Sequence, residues 1–302
     1  RTPGRLVRIG WLSTRPLLGT LYHSLFIEAM RERGWIDGRH FVIEFRSSEG
    51  REERLPALAA ELVQLNPDLI ISSASPTTAA AKRATTTIPT LFFGVGDPVG
   101  SGFVASLSRP GGNLTGLGGL GAGIWLKQLD LLREIAPKAS RIAMFVNSTF
   151  SPHSQARAEI EAAARDRGVV IRPIEVRAPG DIDAAFETVA REHIGALLIV
   201  AQPFYYQEAD RVARLATLNR IPAMVGFEDV VKAGLLMSYG NRLADDIKRL
   251  PYFVERIVHG ARPAEMPVEQ PTRFYLTINL RTAKAIGVTV PPSLLLRADD
   301  VI

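Results

Sequence analysis

The stretch DLIISSASPTTAAAKRATTTIPTLFFGVGDPV, residues 68–99, holds two apolar runs on either side of a segment of helix length. Leu69-Ile70-Ile71 and Leu91-Phe92-Phe93 are continuously apolar rather than alternating, as in strands of a parallel sheet covered on both faces. A strand, a helix and a second strand in this order form a βαβ unit. The stretch ALLIVAQPFYYQEADRVARLATLNRIPAMVGFEDVV, residues 196–231, repeats the plan. Each has an apolar strand, a polar residue, a proline, a helix, an Ile-Pro pair, a second strand and a loop carrying an acid. Pro76 matches Pro203, and Ile88-Pro89 matches Ile221-Pro222. The echo predicts two lobes of similar design.

Outward from these stretches the alternation continues. Strands are expected at 5–13, 40–48, 141–147, 169–176 and 274–279. Helices are expected at 19–33, 51–66, 98–108, 152–167, 181–193, 206–219, 242–259 and 280–286, from apolar residues recurring three and four positions apart. Pro251 should kink the helix at 242–259. RPGGNLTGLGGLGAG, residues 109–123, has seven glycines in fifteen residues and is expected to be a crossing between lobes without helix or strand. The C-terminal segment is too short for a third domain and must add to the existing lobes.

With 302 residues, 46% hydrophobic and 22% charged, the composition is that of a globular protein long enough for two lobes. There is no cysteine, which excludes disulfides, thiolate metal sites and a cysteine nucleophile. A net charge of +5 is spread among alternating basic and acidic residues. No nucleic-acid-binding signature accompanies it, so no nucleic-acid partner is expected. No apolar run approaches the roughly 20 residues of a membrane span.

The glycines of Gly94-Val95-Gly96-Asp97-Pro98-Val99-Gly100 fit neither a dinucleotide fingerprint nor a phosphate loop. They are read as a strand-to-helix turn with Asp97 capping the helix that Pro98 starts. His23, His40, His153, His193 and His259 are scattered, each read as a surface or helix-end residue, and no metal site is expected. No nucleophile elbow or catalytic constellation is present, so neither an enzyme activity nor a cofactor is expected. In open α/β sheets ligands lie beyond the carboxyl ends of the strands. One lobe offers Ser13, Thr14, Ser73, Ala74, Ser75 and Asp97 there. The other offers Asn147, Gln202, Phe204, Tyr205, Phe227 and Glu228. Any one of them also serves as a cap or turn residue. Together they imply a ligand cleft, with Phe204 or Tyr205 of "PFYY" lining it. Hydroxyls, amides, acids and aromatics suit an amino acid or another small amphipathic carboxylate, and equally a purine-like solute.

RIGWLST, GRHFVIEFRSSEGREERLPALAAELV, TTIPTLFFGVGDPVGSGFVASLSRPGGNLTGL, GLLMSYG and FYLTINLRTAKAIGVTVPPSLLLRADDVI together cover much of the chain. In these blocks the chain resembles the ABC-transporter substrate-binding family that includes tryptophan- and other amino-acid-binding lipoproteins. The resemblance implies a type I periplasmic-binding architecture: two Rossmann-like α/β lobes with parallel sheets, three crossings and hinge closure on a solute. It implies lobes of 1–117 with 241–267 and of 118–240 with 268–302, crossing near Leu117, Gly240 and Pro267. It also implies an extracytoplasmic location after removal of a leader, a membrane ABC permease as partner, and a monomer. Gln202 stands where the resemblance leads one to expect an acid. Rival readings are the sensing core of a transcriptional regulator and a doubly wound enzyme.

Overall fold

The computed structural model describes residues 4–16, 19–119, 123–149 and 151–302. Its elements begin with β1 (Val7–Ser13), α1 (Leu21–Glu32), β2 (Phe41–Ser47), α2 (Leu55–Gln64), β3 (Leu69–Ser73), α3 (Ala74–Ala84), β4 (Thr90–Val95) and β5 (Leu114–Gly118). There follow α4 (Ile124–Ile135), β6 (Arg141–Val146), α5 (Ser151–Asp166), β7 (Val170–Glu175), α6 (Ile182–Arg191), β8 (Ala196–Ile199), α7 (Ala209–Leu218), β9 (Ala223–Val225), α8 (Glu228–Lys232) and β10 (Met237–Gly240). The last are α9 (Leu243–Val258), β11 (Tyr275–Ile278), α10 (Leu280–Ile286), α11 (Pro292–Leu295) and β12 (Asp300–Val301). The chain divides into two compact units, Arg1–Leu120 with Leu243–Pro271 and Gly121–Arg242 with Thr272–Ile302.

The first unit has a five-stranded sheet in the order β2-β1-β3-β4-β5, with every neighbouring pair parallel. Side chains alternate across it, and both faces are covered. Val7, Ile9, Trp11, Leu69, Ile71, Leu91 and Phe93 pack with Phe26 and Met30 of α1 and Ile247, Leu250 and Phe253 of α9. On the opposite face Leu12 packs with Leu55, Leu58, Leu62 and Ala80 from α2 and α3. Each such side chain contributes roughly 1.5–3 kcal/mol on burial, which is why the strands read as unbroken apolar runs. The helix α9 continues through Pro251.

The second unit has a seven-stranded sheet, β12-β11-β10-β9-β8-β6-β7. Its neighbours are parallel except β10 and β11, which are antiparallel. The C-terminal segment supplies β11 and β12 to this sheet and packs α10 on α7.

Several expectations need correction. Residues 98–108 form no helix. The bonds Ser101 N–H to Asp97 O, Gly102 N–H to Val99 O and Phe103 N–H to Pro98 O make a turn. It stops at Gly102, whose φ of +69° is left-handed. Phe103 and Val104 then turn inward onto Phe92, Leu114 and Val268. The glycine-rich stretch is not free of strand: β5 is fully buried against β4. Helix α4, directly behind it, had no counterpart among the expected elements. It buries Trp125, Leu129, Leu132 and Ile135 on one side.

Candidate functional site

In the first unit, β1, β3 and β4 are neighbours, so their carboxyl ends bring Ser13, Ser73 and the Asp97 loop to one edge. Ser73 Oγ donates to Ser13 Oγ at 3.2 Å, and Ser13 Oγ also accepts the Arg15 N–H at 3.1 Å. Thr14 continues the same edge, its carbonyl accepting the Gly50 N–H at 2.8 Å. Ala74 has a φ of +68°, a left-handed backbone rare for a residue with a Cβ. This bend turns β3 directly into α3. Thr78 Oγ1 holds it by donating to Ala74 O at 2.8 Å and meeting Ser72 Oγ at 2.9 Å. Ser75 lies in the first turn of α3, half-buried like Ser73 and Ala74. Backbone N–H groups of a first turn have no intrahelical acceptor, so this end of α3 favours a negative group.

Asp97 does not cap a helix. Its Oδ1 accepts the Gly100 N–H at 2.7 Å, closing a turn so tightly that a Cβ on Gly100 would fall 1.9 Å from Oδ2. The bond to the donor three residues ahead is the one an N-cap would make, but no helix follows at 98–108, so it closes a turn. The second oxygen has no partner among the bonds described.

In the second unit, β6, β8 and β9 are neighbours, and their carboxyl ends gather Asn147, Gln202, Phe227 and Glu228. Asn147 Nδ2 donates to Gln202 Oε1 at 3.1 Å, and Gln202 Nε2 donates to Val176 O at 2.9 Å. Asn147 Oδ1 accepts from the Thr149 N–H at 3.1 Å. His153, in the first turn of α5, is buried rather than superficial. Its Nδ1 accepts the Asn147 N–H at 3.0 Å, which leaves Nε2 protonated to donate to Ala201 O at 3.2 Å. Burial pushes this imidazole down to about 4, against weaker upward pulls from Ala201 O and Glu175. It is therefore neutral and ties the end of β6 to the end of β8.

Glu228 is not a free acid. It pairs with Lys232 Nζ at 2.7 Å and with Arg242 Nε at 2.9 Å. Arg242 also pairs with Asp300, and its guanidinium lies 3.9 Å above the Tyr275 ring. The aromatics sort differently from expectation. Tyr205 is fully buried in the core beside Val212, Val225 and Val230, so it cannot line a cleft in this conformation. Burial raises its phenol pKa. The cause is the 3-10 turn Pro203–Tyr206, whose three-residue pitch points its third residue inward. Phe204 is half-buried against the same core. Tyr206, absent from the expected set, stacks on Phe227 with ring centroids 4.1 Å apart and planes at 29°. His153 and Arg242 were also missed; only their positions just past strand ends could have flagged them.

The family described as ABC transporter substrate binding protein matches residues 20–302. The chain is 26% identical over 271 residues to the tyrosine-binding protein of Clostridioides difficile (strain R20291), covering 87% of this chain and 75% of that protein. The crystal structure of an ABC domain in complex with L-Trp from Streptococcus pneumonia superposes with a TM-score of 0.88 at 22% identity, covering 99% of this chain and 100% of that one. A conserved domain protein from Vibrio cholerae gives a TM-score of 0.89 at 22% identity, covering 98% and 99%. The fold is that of type I periplasmic binding proteins.

Proposed function

The chain belongs to the ABC transporter substrate binding protein family, and from that premise we propose that it captures an amino acid, or a similar amphipathic carboxylate, for import. The capture is binding without chemistry: a monomer outside the cytoplasm closes by a hinge on its solute and hands it to a membrane ABC permease. One observation carries the choice of solute. The carboxyl edge of the first unit offers both signs of partner, the N–H groups at the start of α3 after Ser73 and the Asp97 carboxylate with one oxygen left over from its turn. A helix N-terminus favours a carboxylate, and Asp97 favours an ammonium, so together they suit a zwitterion. The tyrosine and L-Trp named for two relatives support the same class.

The test is calorimetric titration of the wild type and Asp97→Asn with a panel of amino acids. At least one should bind the wild type. Asp97→Asn keeps the Oδ1 acceptor for Gly100, so its melting temperature should hold. Its affinity should drop tenfold or more, about 1.4 kcal/mol, because the ammonium loses its counter-charge. No binding by any amino acid, or tighter binding of sugar phosphates by the variant, overturns the reading.

A further inference from the structure

We infer that Arg242 and Arg249 are the collars of the hinge. Each is a positioning residue that ties together, within its own unit, the chain segments running to and from the other, so that closure bends only the backbone between the collars. The inference rests on the reading that the chain closes by a hinge, and goes further by naming the residues that confine the bend.

In the second unit two crossings leave from one end of one ladder. β10 runs out towards 242–243, β11 runs back from 271–272, and Gly240 lies opposite Tyr275 in their antiparallel pairing. Arg242 is the last residue of its segment. Its guanidinium lies 3.9 Å from the centroid of the Tyr275 ring, and it pairs with Asp300 of β12 and with Glu228 of α8, the latter at 2.9 Å. Arg273, just past the other crossing, lies 4.5 Å from the centroid of the same ring and pairs with Asp299 at 3.4 Å. The third crossing, 120–121, leads to α4, whose Gln128 Nε2 donates to Tyr239 O at 2.7 Å, near the same strand end.

In the first unit Glu269 joins all three segments. Its carbonyl accepts the Gly118 N–H at 3.0 Å and its own N–H donates to Gly116 O at 2.9 Å, which holds the segment that ends at 120. Its carboxylate takes the Arg249 guanidinium as a fork, Nε to Oε2 at 2.8 Å and the terminal nitrogen to Oε1 at 2.7 Å. That fork holds α9, which begins at the crossing 242–243. Glu269 itself stands just before the crossing 271–272.

A planar guanidinium bound by two parallel hydrogen bonds fixes direction as well as distance. A half-exposed pair of this kind adds little to stability, and the side chains of Arg249 and Glu269 are 43% and 38% exposed. Their effect is geometric: they decide which backbone torsions remain free to turn. Hinges absorb closure in a few such residues.

The experiment uses the absence of cysteine. Arg83→Cys on α3 and Glu187→Cys on α6, both exposed, place one spin label on each unit. Pulsed electron resonance then reads the distribution of distances between the labels in this parent chain and with Arg242→Met or Arg249→Met added, each with and without a mixture of the common amino acids. Without amino acids both variants should give a broader distribution than the parent, and the melting temperature of Arg249→Met should hold. The mixture should shift the parent's maximum. Widths equal to the parent's in both variants overturn the collars and leave hinge capture standing. Broadening in one variant only overturns the collar at the other residue. A parent maximum that ignores the amino acids while both variants broaden overturns closure on an amino acid and leaves the collars standing. Should Arg242→Met fail to fold, Arg249→Met decides.

Discussion

His153 is 1% exposed, and a backbone N–H points at its Nδ1. Burial in a site with little water disfavours a second proton, and this is why the imidazole is pushed down to about 4; a proton on Nδ1 would also face the Asn147 N–H. An unfolded histidine titrates near 6.5. The folded pKa is therefore depressed. The neutral ring's contribution is complete above about 6.5 and is lost as pH falls through that value towards 4, where the unfolded chain gains a proton that the fold excludes. The full difference amounts to roughly 3 kcal/mol. Urea unfolding of the wild type and His153→Gln between pH 7 and 4.5 checks it: the wild type should lose about 2–3 kcal/mol more than the variant. Parallel pH profiles would show that the ring is not held neutral by the fold. Little of this was legible in the sequence. A solitary histidine past a strand end gives no sign that its ring turns inward. The same limit applies to "PFYY", where the phase of a short 3-10 turn decides that Tyr205 enters the core and Tyr206 does not. The meeting of Ser13 with Ser73 was readable, because both stand at the ends of continuous apolar strands and such strands pair in parallel.

Strands that announce themselves by bulky apolar residues were legible, and β5 was not, because its glycines are what let it pair. A Cβ on Gly116 would stand 1.9 Å from Phe92 O, and one on Gly118 would stand 2.6 Å from Val95 O. The backbone of β5 thus approaches β4 more closely than any side chain permits, and the register between them shifts between Phe92 and Val95. Composition alone reads such a segment as a linker, since glycine has low strand propensity. Gly116→Ala should destabilise the protein by at least about 2 kcal/mol, the scale of overpacking against backbone that cannot retreat. Gly112→Ala, with nothing within 4 Å of its Cβ, is the control and should be close to neutral. Equal melting temperatures for the two variants would mean that β5 does not pack as described. Helix α4 was legible and passed over: Trp125, Leu129 and Leu132 recur at three and four residues, a signal hidden only by the glycines in front of it. The opposite error arose at 98–108, where Pro98 suggested a helix start. Gly100, Gly102, Ser106, Ser108 and Pro110 left no periodic apolar face to sustain one.

The two-lobed plan was legible because the repeat of strand, helix, Ile-Pro and strand does not depend on any single side chain. Each unit has its own sheet and its own buried clusters, Trp11 with Phe26 and Phe93 in one and Phe145 with Phe186 and Tyr205 in the other. Each is built from two chain segments, so the chain passes from unit to unit three times, at 120–121, 242–243 and 271–272. The expected crossings lay a few residues earlier, near Leu117, Gly240 and Pro267, since sequence marks a hinge only by where apolar periodicity lapses. Units with complete cores can keep their internal structure while the three connections absorb a rotation. A solute that binds the closed arrangement better than the open one shifts the population towards it by that difference in affinity and no more. Small-angle scattering should then give a smaller radius of gyration with a saturating solute than without. Under the same conditions, solute at 100 times its Kd stabilises the protein by about 2.7 kcal/mol, so binding can be verified independently by melting. A raised melting temperature with an unchanged radius of gyration would mean that the solute is held without closure, and that a permease must recognise something other than a change of shape.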